Sequence, residues 1–144
     1  MSILYLDCER HDQQEKQLTV LILYGSWHVG ARLIHRLSRL RNVTVLMRSE
    51  KPGESIQLVA EMKPGIVVID AQLGQGSGIE VLREVKSFTS PPIVIMTASS
   101  PYSQYRRECL RNGADLYFEL PAQIEQLSNV VFELTDRSFA DDGE

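Results

Sequence analysis

The sequence predicts an α/β fold: a doubly wound, five-stranded parallel sheet with helices on both faces. Three observations predict it. Five short runs are apolar almost throughout, as strands covered on both faces must be. Between them lie stretches with apolar residues at three- and four-residue spacing, the mark of amphipathic helices. The two kinds alternate along the chain, and strand–helix alternation is the pattern of a parallel sheet joined by right-handed crossovers.

The first strand is residues 18–24 (LTVLILY). A helix follows over 27–40, with Val29, Leu33, Leu37 and Leu40 on one stripe and Ser26 as its N-cap. Residues 43–47 (VTVLM) are the second strand. The second helix spans 54–62, with Ile56, Val59 and Ala60 inward, and is ended by Pro64-Gly65. Residues 66–69 (IVVI) are the third strand and run directly into Asp70. A glycine-rich loop at 74–78 (GQGSG) leads to a third helix over 79–88, with Ile79, Leu82 and Val85 on one face. Pro91-Pro92 breaks the chain before the fourth strand, 93–96. The fourth helix, 102–111, is closed by Asn112-Gly113 as a left-handed cap. Residues 115–118 form a short fifth strand. The last helix, 122–135, turns Ile124, Leu127, Val131 and Leu134 inward, and the polar residues 137–144 beyond it are expected to fray.

A length of 144 residues suits one compact domain, divided here into an N-terminal extension (1–17), a folded domain (18–136) and an acidic tail (137–144). The net charge of −4 argues against a dedicated nucleic-acid binder, which carries a basic face. Arg32, His35, Arg36, Arg39 and Arg41 spread around a helix and read as a solvated face. No apolar stretch approaches the ~20 residues of a membrane span. The N-terminus has neither the basic region nor the cleavage signal of a secretory leader. Cys8 and Cys109 have no metal-binding or redox spacing and fit two free thiols in a reducing cytoplasm.

In a parallel sheet the working site lies at the carboxyl ends of the strands, near the switch in strand order. That rule selects Tyr24-Gly25, Asp70, Thr97 and residues 119–121.

Four fragments, in order and at fitting intervals, resemble the receiver domains of two-component response regulators over residues 18 to about 135. They are IVVIDAQLGQGSGIEVLREVK with Asp70, Leu73 and Gly78-Ile79-Glu80; IVIMTAS with Thr97-Ala98; Asn112-Gly113-Ala114-Asp115; and YFELPAQ with Tyr117 and Pro121. The resemblance implies a strand order of 2-1-3-4-5 and a phosphoryl group taken from a histidine kinase onto Asp70. It also implies magnesium held by that aspartate, by an acidic pair after the first strand and by a backbone carbonyl, with a lysine after the fifth strand. Thr97 and Tyr117 match the family's switch positions, and the bond before Pro121 is expected to be cis. The chemistry explains the need: phosphoryl transfer is mostly positioning and charge neutralisation, and magnesium wants hard oxygen ligands.

Here the sequence departs from the family. Tyr24-Gly25 stand where the acidic pair belongs, and Leu120 stands in place of the lysine. A lone Asp70 would bind magnesium weakly, and Leu120 cannot pair with a phosphoryl group. Glu119 is adjacent but should point away from Leu120, because side chains alternate along a strand. Tyr24 and Leu120 together are expected to dry the pocket. The segment 2–9 (SILYLDCE) also looks like a first strand with an acidic end, but Asp7 lies too far from Asp70 to supply the missing carboxylate.

The expected function is therefore a stand-alone, non-enzymatic module of phosphorelay type with impaired or absent Asp70 phosphorylation. It would work through a protein partner, whether a histidine kinase, a phosphotransfer protein or a downstream effector. The retained Thr97 and Tyr117 have two readings: plain packing, or a signalling or homodimer face made of the fourth helix, fifth strand and fifth helix, which Tyr102, Tyr105, Arg106 and Arg107 would enrich. Two other readings stand beside it: a genuine phosphoacceptor, with magnesium as cofactor, and a small-ligand binder using the vacated pocket.

Other motifs carry less. GSWHVG at 25–30 opens a helix like a phosphate loop but lacks the following Lys and Ser or Thr, having Ala31 and Arg32. The 74–78 loop reads as a connector more than an anion cradle. His28 and His35 share a helix face without a third metal ligand, Trp27 reads as packing, and Ser26 has no His–acid arrangement around it.

Overall fold

The structure, a computed structural model, describes residues 18–25, 27–48, 51–73, 76–99 and 103–142. The expectations for the N-terminal extension, the Ser26 cap, Gly74-Gln75 and Tyr102 lie outside them.

Five strands form one parallel sheet: β1 (Leu18–Leu23), β2 (Val43–Arg48), β3 (Ile66–Asp70), β4 (Ile93–Ala98) and β5 (Leu116–Glu119). Their order is β2-β1-β3-β4-β5, as expected. The helices are α1 (Trp27–Leu37), α2 (Pro52–Met62), α3 (Gly78–Lys86), α4 (Ser103–Arg111) and α5 (Ile124–Asp142). Between β3 and α3 the expected open loop instead carries a two-residue antiparallel pairing, Gln72–Leu73 with Gly76–Ser77.

Alternation along the buried strands sorts their side chains into two cores. Leu21, Leu23, Val67, Ile69, Val94 and Met96 face one side, where Val59 of α2, Val81, Leu82 and Val85 of α3 and Cys109 of α4 cover them. Val20, Ile22, Val45, Val68 and Ile95 face the other, covered by Leu33 and Leu37 of α1 and Leu127 and Val131 of α5. A wholly apolar run such as IVVI is thus required: each residue is core for one layer or the other.

Several helix ends differ from the expected ones. α1 stops at Leu37 because its final N–H groups turn to the carbonyls three residues back, Arg39 to Arg36 and Leu40 to Leu37. α2 starts two residues early, with Pro52 at its first position and the Glu54 carboxylate accepting from the Lys51 N–H. Ala60, expected inward, is exposed. α5 runs on through Asp142; no Gly or Pro interrupts it before Gly143.

The amino end of the sheet is tied by Asp115. Its Oδ2 accepts from the Val94 N–H at 2.8 Å and from Lys86 Nζ at 2.9 Å, and Lys86 also donates to the Pro92 carbonyl at 3.1 Å. The opposite, carboxyl end is left to the loops that carry the site.

Candidate functional site

Asp70 ends β3, the central strand, between β1 and β4. Its carboxylate joins two loops. Oδ2 accepts from the Gly25 N–H at 3.2 Å, just past the end of β1. Oδ1 accepts from the Gln72 N–H at 3.0 Å, the local turn that Asp side chains favour. Two backbone donors thus serve the carboxylate, and hydrogen bonds to an ionised acceptor are the stronger kind.

The backbone around it is closely set. A Cβ on Gly25 would stand 1.9 Å from the Gln72 carbonyl oxygen and 3.2 Å from Asp70 Oδ2. In this conformation no side chain fits at position 25. On the other flank, a Cβ on Gly78 would stand 2.0 Å from the Asp70 carbonyl oxygen. The Gly78 N–H donates to the Ala71 carbonyl at 2.9 Å, and Ser77 Oγ caps α3 by accepting from the Ile79 N–H at 3.1 Å. Gly78, which the sequence placed in a connector, and Gly25 therefore wall the Asp70 loop.

Tyr24 leans over α1, its Cγ 2.9 Å from where a Gly30 Cβ would be. It meets Trp27 edge to face, with ring centroids 5.9 Å apart. Trp27 itself is 62% exposed, so the expected packing role reduces to this one edge contact. Leu120 is buried in the core beneath α1 and α5, alongside Phe118, Leu127 and Val131. Its N–H donates to the Ala98 carbonyl at 2.9 Å, and the Leu120–Pro121 bond is cis, as the resemblance implies. Both Tyr24 and Leu120 are thus absorbed by packing on that core.

Thr97 sits beside Asp70 in register, is buried, and accepts at its carbonyl from the Ala71 N–H at 2.7 Å. Tyr117 lies one rung away, opposite Met96, and packs in the other core with Cys109. Neighbours along a strand face opposite ways, so Thr97 and Tyr117 lie on opposite faces of the sheet. Arg106 Cζ stands 5.9 Å from the Tyr117 ring centroid, a cation–π distance. Among the described residues, the buried Tyr117 hydroxyl has no hydrogen-bond partner. Burial foremost raises the pKa of that phenol, with Cys109 and Glu119 adding and Arg106 opposing.

One residue was missed by the sequence reading. Gln72 donates its N–H to Asp70, presses its carbonyl against Gly25, and donates Nε2 to the Tyr105 hydroxyl on α4 at 2.6 Å. Its only sequence cue is its place two residues after Asp70; its partner lies 33 residues further on. His28 and His35 are both exposed, and among the described residues no group of three or more His, Cys, Asp or Glu side chains gathers as a metal site. No helix among them is long and apolar enough to cross a membrane.

Comparison with known proteins meets this geometry. The family profile of the response regulator receiver domain matches residues 28–132. An uncharacterized response regulatory protein of Vibrio cholerae is 27% identical over 117 residues, covering 81% of this chain and 48% of that protein. The response regulator MprA of Mycolicibacterium vanbaalenii is 34% identical over 91 residues, covering 62% of this chain and 39% of that one. The chain thus spans about half the length, or less, of the curated relatives it matches. Among solved structures, the signal receiver domain of a putative Luxo repressor protein from Vibrio parahaemolyticus aligns with a TM-score of 0.74 at 19% identity, covering 88% of this chain and 95% of that one. The response regulator domain of Thermotoga maritima CheB aligns at 0.70 and 22% identity, covering 85% and 96%. With its strand order, its carboxylate at the end of β3 and a profile match over most of its length, the chain belongs to the response regulator receiver domain family.

Proposed function

We propose that this receiver domain signals through protein contact, in a state set without magnesium-assisted phosphorylation of Asp70. The observation that carries the reading is the closed arrangement around that carboxylate. The Gly25 and Gln72 amides serve it, and the Gln72 carbonyl fills the space a side chain at position 25 would need. Magnesium is usually held by one or two carboxylates with waters and phosphate oxygens. Here one carboxylate stands with Tyr24, Gly25 and the buried Leu120 at the family's remaining ligand and lysine positions. That donor set does not fit the ion.

The same reading makes the module non-enzymatic and cytoplasmic. Its partner would be a histidine kinase, a phosphotransfer protein or a downstream effector. A second copy is a further partner, through α4, β5 and α5. α4 exposes Arg106, Arg107 and Arg111, while α5 exposes Glu133 and Asp136. A twofold pairing that lays α4 of one copy against α5 of the other would bring opposite charges together.

Incubation with acetyl phosphate and magnesium, followed by intact-mass measurement, tests the reading. The expected result is an unchanged mass. A stable gain of one phosphoryl group, absent in Asp70→Ala, would overturn it in favour of a working phosphoacceptor.

A further inference from the structure

Among the described residues, Gln72 joins the Asp70 carboxylate, the backbone at Gly25 and α4. Its N–H donates to Asp70 Oδ1, at 3.0 Å. Its carbonyl oxygen lies against Gly25, whose own N–H is held by Asp70 Oδ2. Its side-chain amide donates to the Tyr105 hydroxyl, at 2.6 Å, on the first turns of α4. Tyr105 in turn packs against the core that contains Tyr117 and Cys109. The peptide plane that senses the carboxylate and the amide that grips α4 thus belong to one residue.

We infer that Gln72 is the positioning residue through which the Asp70 carboxylate holds α4 in its seat. The physical reasoning is short. An ionised carboxylate has acceptor sites on both oxygens and serves the Gly25 and Gln72 N–H groups together. Where Oδ1 no longer accepts, the Gln72 N–H loses this partner. The Gln72 peptide is then free to turn, and its side chain turns with it. The Tyr105 hydroxyl loses a short hydrogen bond, and α4 loses a tether at its amino end. This route runs along the α4 face of the sheet, whereas Thr97 points to the face covered by α1 and α5.

The inference goes beyond the proposed function and concerns the carboxylate itself. Its test uses Asp70→Ala and no phosphoryl donor, so it stands or falls separately from the phosphorylation result. Alanine removes both acceptor oxygens, whereas asparagine would keep one able to hold the Gln72 N–H in the same local turn. Amide hydrogen exchange would be followed by NMR on the full chain at residues 105–111. In the otherwise unaltered chain, Asp70→Ala should speed exchange there about two- to tenfold, the effect of losing one modest hydrogen bond. Gln72→Ala and Tyr105→Phe should each produce that change alone, and Asp70→Ala should then add nothing at α4. Gln72→Glu should restore the response, because its carboxylate can accept from the Tyr105 hydroxyl. Amides of α1 should still respond to Asp70→Ala in the Gln72→Ala background, since the Gly25 contact is made by backbone. An α4 that ignores Asp70→Ala, or responds equally with and without the Gln72 side chain, would overturn the inference.

Discussion

The Gly25 N–H donates to Asp70 Oδ2 across 3.2 Å, joining the loop after β1 to the carboxyl end of β3. Backbone thus stands where the resemblance calls for an acidic side chain. The contact also fixes how near the two loops lie, because the Gln72 carbonyl fills the space beside Gly25.

Restoring the acid should therefore not restore the site. Gly25→Asp would place a Cβ 1.9 Å from the Gln72 oxygen, so one loop must move. Overpacking of this kind costs about 1–3 kcal/mol. Urea unfolding should show a lower midpoint with an unchanged slope. Magnesium titration should show no tight site in the variant. An equal or higher midpoint together with magnesium binding would mean that the loops open readily.

How much of this could be read from the chain depends on what each residue answers to. The strands were legible because IVVI, LTVLIL and IVIM are bound by two cores at once, and burial on both faces leaves almost no polar position, Thr19 at the half-buried start of β1 excepted. Asp70 was legible because it ends such a run. Gly25 was legible as a departure from the family, but not as a close contact, since the opposing carbonyl comes from a residue 47 positions away. Gln72–Tyr105 is a bond between an exposed glutamine and a half-buried tyrosine 33 residues on, which no periodicity marks. Trp27 misled because an aromatic at a helix start reads as core, whereas its stripe is set by Gly30, Leu33 and Leu37. The end of α1 was misplaced because Leu40 keeps helical spacing although the turn before it has tightened.

Leu120 gives a second prediction. Its side chain is 2% exposed and packed beneath α1 and α5. Leu120→Ala should lower stability by about 2–5 kcal/mol, the usual cost of emptying a buried leucine site. Leu120→Lys restores the family's residue type but buries an ammonium among apolar groups, which is costly without a partner. It should destabilise at least as much as alanine in denaturant unfolding. A lysine variant as stable as the parent would show that the chain after β5 can turn this side chain out toward Asp70.

Cys109 carries a pH prediction. Burial first, and Glu108 second, push its thiol from 9.0 up to about 11. A raised thiol pKa means that the folded state holds its proton where the unfolded chain has released it. The associated stability is complete below about pH 9 and is lost as pH rises toward 11. The loss is on the order of 2 kcal/mol. Chemical unfolding from pH 8 to 11 should show this decline, and Cys109→Ala should flatten it. Tyr117, whose pKa is raised in the same direction, adds to the fall at the alkaline end and should leave a residual slope in the variant.

Asp115 supplies the last prediction, at the end of the sheet away from the site. One oxygen, Oδ2, takes both the Val94 N–H of β4 and Lys86 Nζ of α3. The two bonds differ in kind. The backbone donor is partly buried, and without its acceptor it bears a desolvation penalty of about 1–3 kcal/mol. The lysine pair has one partner substantially exposed and contributes about 0–1 kcal/mol. Asp115→Ala should therefore cost clearly more than Lys86→Met, and Asp115→Asn, which keeps one acceptor oxygen, should fall between them. High salt should narrow the Lys86→Met difference and leave the Asp115→Ala cost largely in place, because screening acts on the ion pair and not on an orphaned amide. If Lys86→Met proved as costly as Asp115→Ala, the ion pair would be what holds this end of the sheet.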